Sequence, residues 1–224
     1  MGLDDTFAPM GFKDESGEIV GFDVELAKEV AERLDVEITF QPIDWAMKET
    51  ELASGNIDMI WNGYTITEER KEKVLFSEPY LSNSQIIVTM ADSDIETKAD
   101  LAGKVVATQQ GSAAFDAIIA DETGIAAEFD GGTPILYPTF NDVFNDLESG
   151  RSDAIVVDEV LGRYTMKLKG EEKFAVLTDN FGDEEYGVGL RKEDVALKEA
   201  IDATMNDMRE DGTYDEIYAK WFAE

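Results

Sequence analysis

Short apolar runs with the composition of buried strands alternate with amphipathic helical stripes along almost the whole chain, and this confines it to α/β architectures. Residues 23–34 carry Val24, Ala27, Val30, Ala31 and Leu34 on one stripe with charges opposite, the signature of a surface helix. Residues 36–40 alternate and are expected to follow as a strand. A short helix over 48–54 ends at Gly55, and 57–61 reads as a buried strand. Further on, strands are expected at 85–90, 104–108, 134–138 and 153–157. Helices are expected at 111–120, 141–148, 159–167, 193–208 and 214–222.

No internal repeat and no Pro/Gly/Ser linker divides this pattern into consecutive domains. Two extended segments, 82–88 and 184–189, instead bracket a central set of strands and helices. If both cross between lobes, residues 85–186 form one lobe, and 1–84 with 187–224 form the other. A two-strand hinge of this kind permits closure.

Composition narrows the chemistry. Fifty acidic residues against nineteen basic ones give a net charge of −31, a surface that repels phosphate backbones and argues against nucleic-acid partners. With no histidine and no cysteine, Ser-His-Asp and Cys-His catalysis, disulfides, thiolate metal sites and the usual zinc sites are excluded. Neither a cofactor nor a metal is expected. The apolar runs at 85–90 and 153–157 are far too short to span a bilayer, so no stable membrane insertion is expected. No basic and apolar export signal opens the chain, as in a mature form whose leader has been removed.

Several residues sit awkwardly against local rules. Thr67 is a good N-cap and Glu68 and Glu69 suit a helix start, but Arg70 occupies the position where a capping box wants Glu or Gln. Its bland alternative is an exposed arginine paired with Glu69 or Glu72. Gly111-Ser112 lies between a strand and a helix, where backbone N–H groups can hold an anion or merely turn the chain. Asp158 ends an apolar strand, where ligands of open α/β sheets bind, or else caps the following helix. Among Phe7, Trp45, Trp61 and Tyr64, Trp61 reads as core and Trp45 as a platform on which a planar or cationic group stacks.

The stretches Asp4-Asp5-Thr6-Phe7-Ala8-Pro9-Met10 and Gly21-Phe22-Asp23-Val24-Glu25-Leu26-Ala27 resemble the opening of the polar amino-acid-binding proteins of ABC importers. These are the bacterial extracellular solute-binding proteins of family 3, including glutamine-, histidine- and lysine/arginine/ornithine-binding receptors. Ser54-Gly55-Asn56-Ile57-Asp58, Thr65-Ile66-Thr67-Glu68-Glu69-Arg70, Phe76-Ser77-Glu78-Pro79-Tyr80, Tyr186-Gly187-Val188-Gly189 and Asp211-Gly212-Thr213-Tyr214 continue the resemblance in order over nearly the whole chain.

The resemblance implies a periplasmic-binding-protein-like fold of two Rossmann-like lobes, a monomer that closes on its ligand like a flytrap. It implies that Arg70 grips an α-carboxylate together with the N–H groups of Thr65 and Ser112. Asp158 would take the α-ammonium with the Gly63 carbonyl, Phe7 and Trp45 would flank the side chain, and Asp4 would line its far end. Asn62, Tyr64, Gly111, Gln109 and Ala113 complete the expected site. Gln109, Gln110 and Ala113 stand where some relatives hold a cation or hydroxyl, and Val157 where some glutamine receptors hold a polar residue. The first strand is expected to be short, since relatives carry several apolar residues before the position of Leu3.

The implied function is the extracytoplasmic receptor of an ABC importer, periplasmic or on the extracellular face, with lipid anchoring open. Its partners would be a free L-amino acid and a permease. Asp4, Phe7, Trp45 and the acidic surface lean toward a basic ligand, arginine or lysine, with glutamine, histidine and cystine as alternatives. A cyclohexadienyl dehydratase-like enzyme, with Glu159 or Glu184 as its acid, and a sensor module are the competing readings on the same fold.

Overall fold

A computed structural model describes residues 1–222. The chain divides into two compact units, Met1–Leu81 with Glu185–Glu224, and Ser82–Glu184. It passes from one to the other inside the strands Leu81–Met90 and Phe174–Tyr186.

The first unit holds a five-stranded sheet in the order Gln41–Pro42, Gly2–Leu3, Met59–Ile60, Gly189–Leu190, Leu75–Phe76. Gly2–Leu3 pairs in parallel with both its neighbours, whereas Gly189–Leu190 is antiparallel to both of its own. The helix Phe22–Arg33 buries Val24, Leu26, Ala27, Val30 and Ala31. At its start, Phe22 meets Tyr214 at 5.9 Å and Phe222 at 5.0 Å between ring centroids, which docks the helix Thr213–Phe222. A small antiparallel sheet of Thr6–Phe7, Gly11–Lys13 and Ile19–Val20 completes this unit's strands among the described residues.

Residues 36–40 do not form the strand that their alternation predicts. They are irregular, Val36 is exposed, and regular pairing begins only at Gln41. The partner strand explains this. Gly2 is opposite Gln41 and Leu3 opposite Pro42, so residues before Gln41 find no further ladder beyond the Met1 ammonium bonding the Thr39 carbonyl at 2.8 Å. Alternation supplies a face; a strand also needs a neighbour.

The second unit orders its strands Ile135–Tyr137, Val106–Gln109, Ala154–Asp158, Leu81–Met90, Phe174–Tyr186. Val106–Gln109 is parallel to both its neighbours, and Ala154–Asp158 pairs antiparallel with Leu81–Met90. Every residue of Ala154–Asp158 is buried, as a central strand covered on both faces requires. The helix Phe140–Glu148 lays Phe140, Val143, Phe144 and Leu147 against the sheet, and its first turn is capped by Thr139, whose hydroxyl accepts from the Asp142 N–H at 3.2 Å. Gly162 lets the helix Glu159–Lys169 come close: a Cβ there would stand 2.9 Å from Val157 Cγ2.

Candidate functional site

In the first unit the site is built on the loop that leaves the strand Met59–Ile60. Asn62 anchors it to the end of Gly2–Leu3, its Oδ1 accepting from the Asp4 N–H at 3.0 Å. Gly63 adopts φ +56°, and a Cβ there would lie 2.8 Å from Phe7 Cε1 and 3.2 Å from the Tyr186 ring, so the bend and the aromatic neighbours both require glycine. Behind the bend, the Gly63 N–H donates to Asp23 Oδ2 at 2.7 Å, and the Tyr80 hydroxyl donates to the same oxygen at 2.8 Å. Burial pushes the Asp23 carboxyl up to about 7, against the Gly63 N–H, the Tyr80 hydroxyl and the Trp61 indole, which pull it down.

Beyond the bend, Tyr64 and Thr65 are stitched to the returning chain. The Gly187 N–H donates to the Tyr64 carbonyl at 3.0 Å, and Thr65 forms a bridge with Tyr186. The helix Glu68–Lys73 starts as predicted: Thr67 accepts from the Arg70 N–H at 3.1 Å. The Arg70 side chain does not take the exposed alternative. It is 4% exposed, donates through Nη1 to the Thr65 carbonyl at 3.1 Å, and sits 4.8 Å above the Tyr64 ring. Glu69 pairs with Lys73 at 2.7 Å.

Tyr64 is the hub of this half. Its ring stacks on Phe76 at 5.0 Å, meets Trp45 edge-on at 5.9 Å, and its hydroxyl donates to Glu49 Oε1 at 2.9 Å. Gly189 makes room for it, since a Cβ there would fall 2.6 Å from Tyr64 Cε1. Trp45 is more buried than an open platform: it is 7% exposed and packs with Leu52, Ile57, Ile60, Val74 and Phe76. Asp4 is buried too, and its Oδ1 accepts from the Thr6 N–H at 2.9 Å and the Thr6 hydroxyl at 2.6 Å. Asp4 with Asn62, Phe7 with Gly63, and Trp45 with Tyr64, Thr65 and Arg70 are thus brought together.

Two residues here escaped the sequence reading. Lys48 is 3% exposed, with its Nζ 5.2 Å from the Trp45 ring centroid and 3.2 Å from Glu49 Oε1. Burial raises the Glu49 carboxyl, but Lys48, its own backbone N–H, the Tyr64 hydroxyl and Arg70 leave it below the usual carboxylate range. The available signal was spacing: Lys48 follows Trp45 by one turn of the 3₁₀ helix Trp45–Met47.

In the second unit, Gln109 ends its strand and donates through Nε2 to the Pro138 carbonyl at 2.9 Å. Gly111, at φ +70°, turns the chain into the helix Ala113–Ala120. Ser112 caps that helix, accepting from the Phe115 N–H at 3.2 Å and donating to the Gln109 carbonyl at 2.8 Å. Gln109, Ser112 and Ala113 are all buried.

Asp158 holds the cap position of the helix Glu159–Lys169, yet its side chain makes no capping bond. Its Oδ1 instead accepts from Asn83 Nδ2 at 2.8 Å and Gln85 Nε2 at 3.0 Å. The same two amides donate to Glu184 Oε1 at 2.6 and 2.9 Å, so two carboxylates share two neutral donors. Asn83 and Gln85 were not expected in the site, and Glu184 was named only as an acid of the enzyme alternative; the legible hint was a pair of amides two residues apart on one face of the strand Leu81–Met90.

Among the described residues no group of His, Cys, Asp and Glu side chains is arranged to hold a metal ion, and no helix is long and apolar enough to cross a membrane. The chemistry available is ionic and hydrogen-bonding recognition: a buried guanidinium on one unit, a buried carboxylate on the other, and aromatic rings beside the guanidinium.

Known proteins share this fold. The chain is 34% identical over 224 residues to the L-cystine-binding protein TcyJ of Escherichia coli (strain K12), covering 99% of this chain and 81% of that protein. It is 33% identical over 229 residues to the lysine/arginine/ornithine-binding periplasmic protein of the same organism, covering 99% and 86%. The crystal structure of an ABC uptake transporter substrate binding protein from Streptococcus pneumoniae with bound histidine superposes with a TM-score of 0.97 at 39% identity, covering 100% of this chain and 91% of that one. Residues 1–224 match a single family profile, and with the fold and these relatives it establishes that the chain belongs to the bacterial extracellular solute-binding proteins, family 3.

Proposed function

We propose that this chain is the substrate-binding receptor of an amino-acid ABC importer and that it binds a free polar L-amino acid without transforming it. The observation that carries the reading is Arg70, a guanidinium buried on a glycine-bent loop over an aromatic ring. Sequestering such a cation is costly unless an anion or strong acceptors meet it, and the planar fork suits a carboxylate.

In this reading Arg70 takes the α-carboxylate with the N–H groups of Thr65 and Ser112. Asp158 takes the α-ammonium with the Gly63 carbonyl. Each unit contributes one charge complementary to one end of a zwitterion, and ligand binding shifts the equilibrium toward the closed form. Phe7 and Trp45 flank the side chain and Asp4 lines its far end. The sequence leans to a basic side chain, whereas the relatives named above are described with cystine, lysine/arginine/ornithine and histidine. The receptor would act as a monomer in the periplasm or on the extracellular face of the membrane, delivering to a permease.

A thermal-shift screen of the twenty common amino acids with ornithine, citrulline and cystine tests the proposal. A ligand at about 100 times its Kd should add about 2.7 kcal/mol of stability. If no amino acid shifts the transition, the reading fails.

A further inference from the structure

The loop that carries Gly63 and Thr65 is held from behind by one side chain. Asp23 lies in the first turn of the helix Phe22–Arg33, and its N–H donates to the Met10 carbonyl at 2.9 Å. Its carboxyl is buried and turns to the loop, where Oδ2 accepts from the Gly63 N–H at 2.7 Å and from the Tyr80 hydroxyl at 2.8 Å. Among the described residues this is the one hydrogen bond that the Gly63 N–H makes. Tyr80 is fixed in turn: its N–H donates to the Tyr186 carbonyl at 2.9 Å and its carbonyl accepts from the Tyr214 hydroxyl at 2.6 Å. The second oxygen, Oδ1, faces the Trp61 indole, and neither Oδ1 nor Trp61 Nε1 closes a hydrogen bond of ordinary geometry.

We propose that Asp23 is a positioning residue that latches the bend at Gly63, and that the latch holds while its carboxyl is protonated and loosens when the carboxyl ionises. This rests on the amino-acid reading above and deepens it. Gly63 and Thr65 stand on the latched loop, and Arg70 is tied to it through the Thr65 carbonyl.

The charged form of Asp23 is poorly provided for. No cation pairs with it among the described residues; the groups that face it are the Gly63 N–H, the Trp61 indole and the Tyr80 hydroxyl. Behind Tyr80 stands Tyr214, with Arg209 5.4 Å from its ring and Tyr218 and Asp215 beside it. Burial raises Tyr80 well above its ordinary 10.0 and pushes Tyr214 up to about 12, so both stay protonated near neutrality. Burial pushes Asp23 up to about 7 against its three donors, so this carboxyl does change charge there. Its folded value lies above the ordinary 3.8, so the packed arrangement is favoured at low pH and loses that support as pH rises through about 7. A loosened loop presents its groups in binding geometry for a smaller fraction of the time, and apparent affinity falls by that fraction. Linkage then requires that ligand binding take up a proton near neutrality.

The experiment follows amide hydrogen exchange at Gly63 by NMR in the ligand-free full chain from pH 5.5 to pH 8, on the wild type, Asp23→Asn and Tyr80→Phe. Calorimetry with arginine and glutamine, whose side chains keep one charge state over that range, gives the affinities. After correction for intrinsic exchange, wild-type protection at Gly63 should fall about tenfold across the range and stay level in Asp23→Asn. Wild-type affinity should fall about threefold over the same range, again not in Asp23→Asn. Tyr80→Phe removes a donor that favours the charged form, so its midpoint should move to higher pH. Level protection in the wild type overturns the proposal, and so does an equal loss in Asp23→Asn or an affinity that rises with pH. Should Asp23→Asn not fold, the wild-type profile and the Tyr80→Phe midpoint decide. If no amino acid of the thermal-shift screen binds, the amino-acid reading fails while exchange at Gly63 still decides the latch, so the two failures are distinct.

Discussion

The two units hold buried side chains of opposite charge by different means. In the first unit the Arg70 cation is held by a carbonyl and an aromatic face, on a loop whose bend depends on Gly63 and on the carboxyl of Asp23 behind it. In the second unit the Asp158 anion ends a fully buried strand and is held by the amides of Asn83 and Gln85, which it shares with Glu184. A ring face and a carbonyl thus help to place the cation, and two amides help to place the anion. A ring face tolerates small displacements of a guanidinium, whereas a bifurcated amide cradle fixes a carboxylate oxygen to within a fraction of an ångström.

Removing the cation should have the largest effect. Arg70→Ala is expected to weaken ligand binding by about 4 kcal/mol, near a thousandfold, while ligand-free stability changes by about 1 kcal/mol; calorimetry and thermal melting separate the two. Tight binding by this variant would show that the ring-held cation is not what grips the carboxylate.

Next is the support behind the loop. Because Asp23 titrates near 7 when folded, against an ordinary value of 3.8 when unfolded, the folded state binds its proton more tightly. Its contribution is fully present below pH about 4 and is lost as pH rises to about 7, by up to about 4 kcal/mol. Melting curves of wild type and Asp23→Asn across pH 4.5–7.5 (about three units) should converge at low pH and separate as pH rises, with the wild type less stable. Parallel curves would mean that Asp23 is ionised throughout.

Asp158→Asn keeps an acceptor for both amides and removes only the charge. Affinity should fall by about 2–3 kcal/mol with little loss of stability, the clean counterpart of Arg70→Ala. The smallest effect is expected from Asn83→Ala, which removes one of the two amides on Asp158: about 1 kcal/mol in affinity, and least for ligands bound through the carboxylate only. If Asn83→Ala matched Asp158→Asn, the cradle rather than the charge would carry recognition.

The alternating architecture was readable because buried strands such as Ala154–Asp158 and one-sided helices such as Phe140–Glu148 write their environment into consecutive residues. The misreading at residues 36–40 came from a property that consecutive residues do not carry, the length of the neighbouring strand. Arg70 and Asp158 drew attention because each breaks a local helix rule. Lys48 breaks none, and the ring that gives it meaning belongs partly to Tyr64 on another segment. Asn83 was less visible still: its hydrogen bond to Glu184 closes over a separation of 101 residues, and its side chain is not unusual where it stands.

Gly189 shows how far such dependence reaches. A methyl group there would press on two atoms of the Tyr64 ring, at 2.6 and 2.8 Å, and the ring in turn bears Arg70 and Lys48. In a genetic selection for lost uptake, Gly189 should therefore score beside the ligand-contacting positions although it offers a ligand no functional group. For anyone retuning specificity, it marks a position to leave untouched while Trp45 and Asp4 are varied around it.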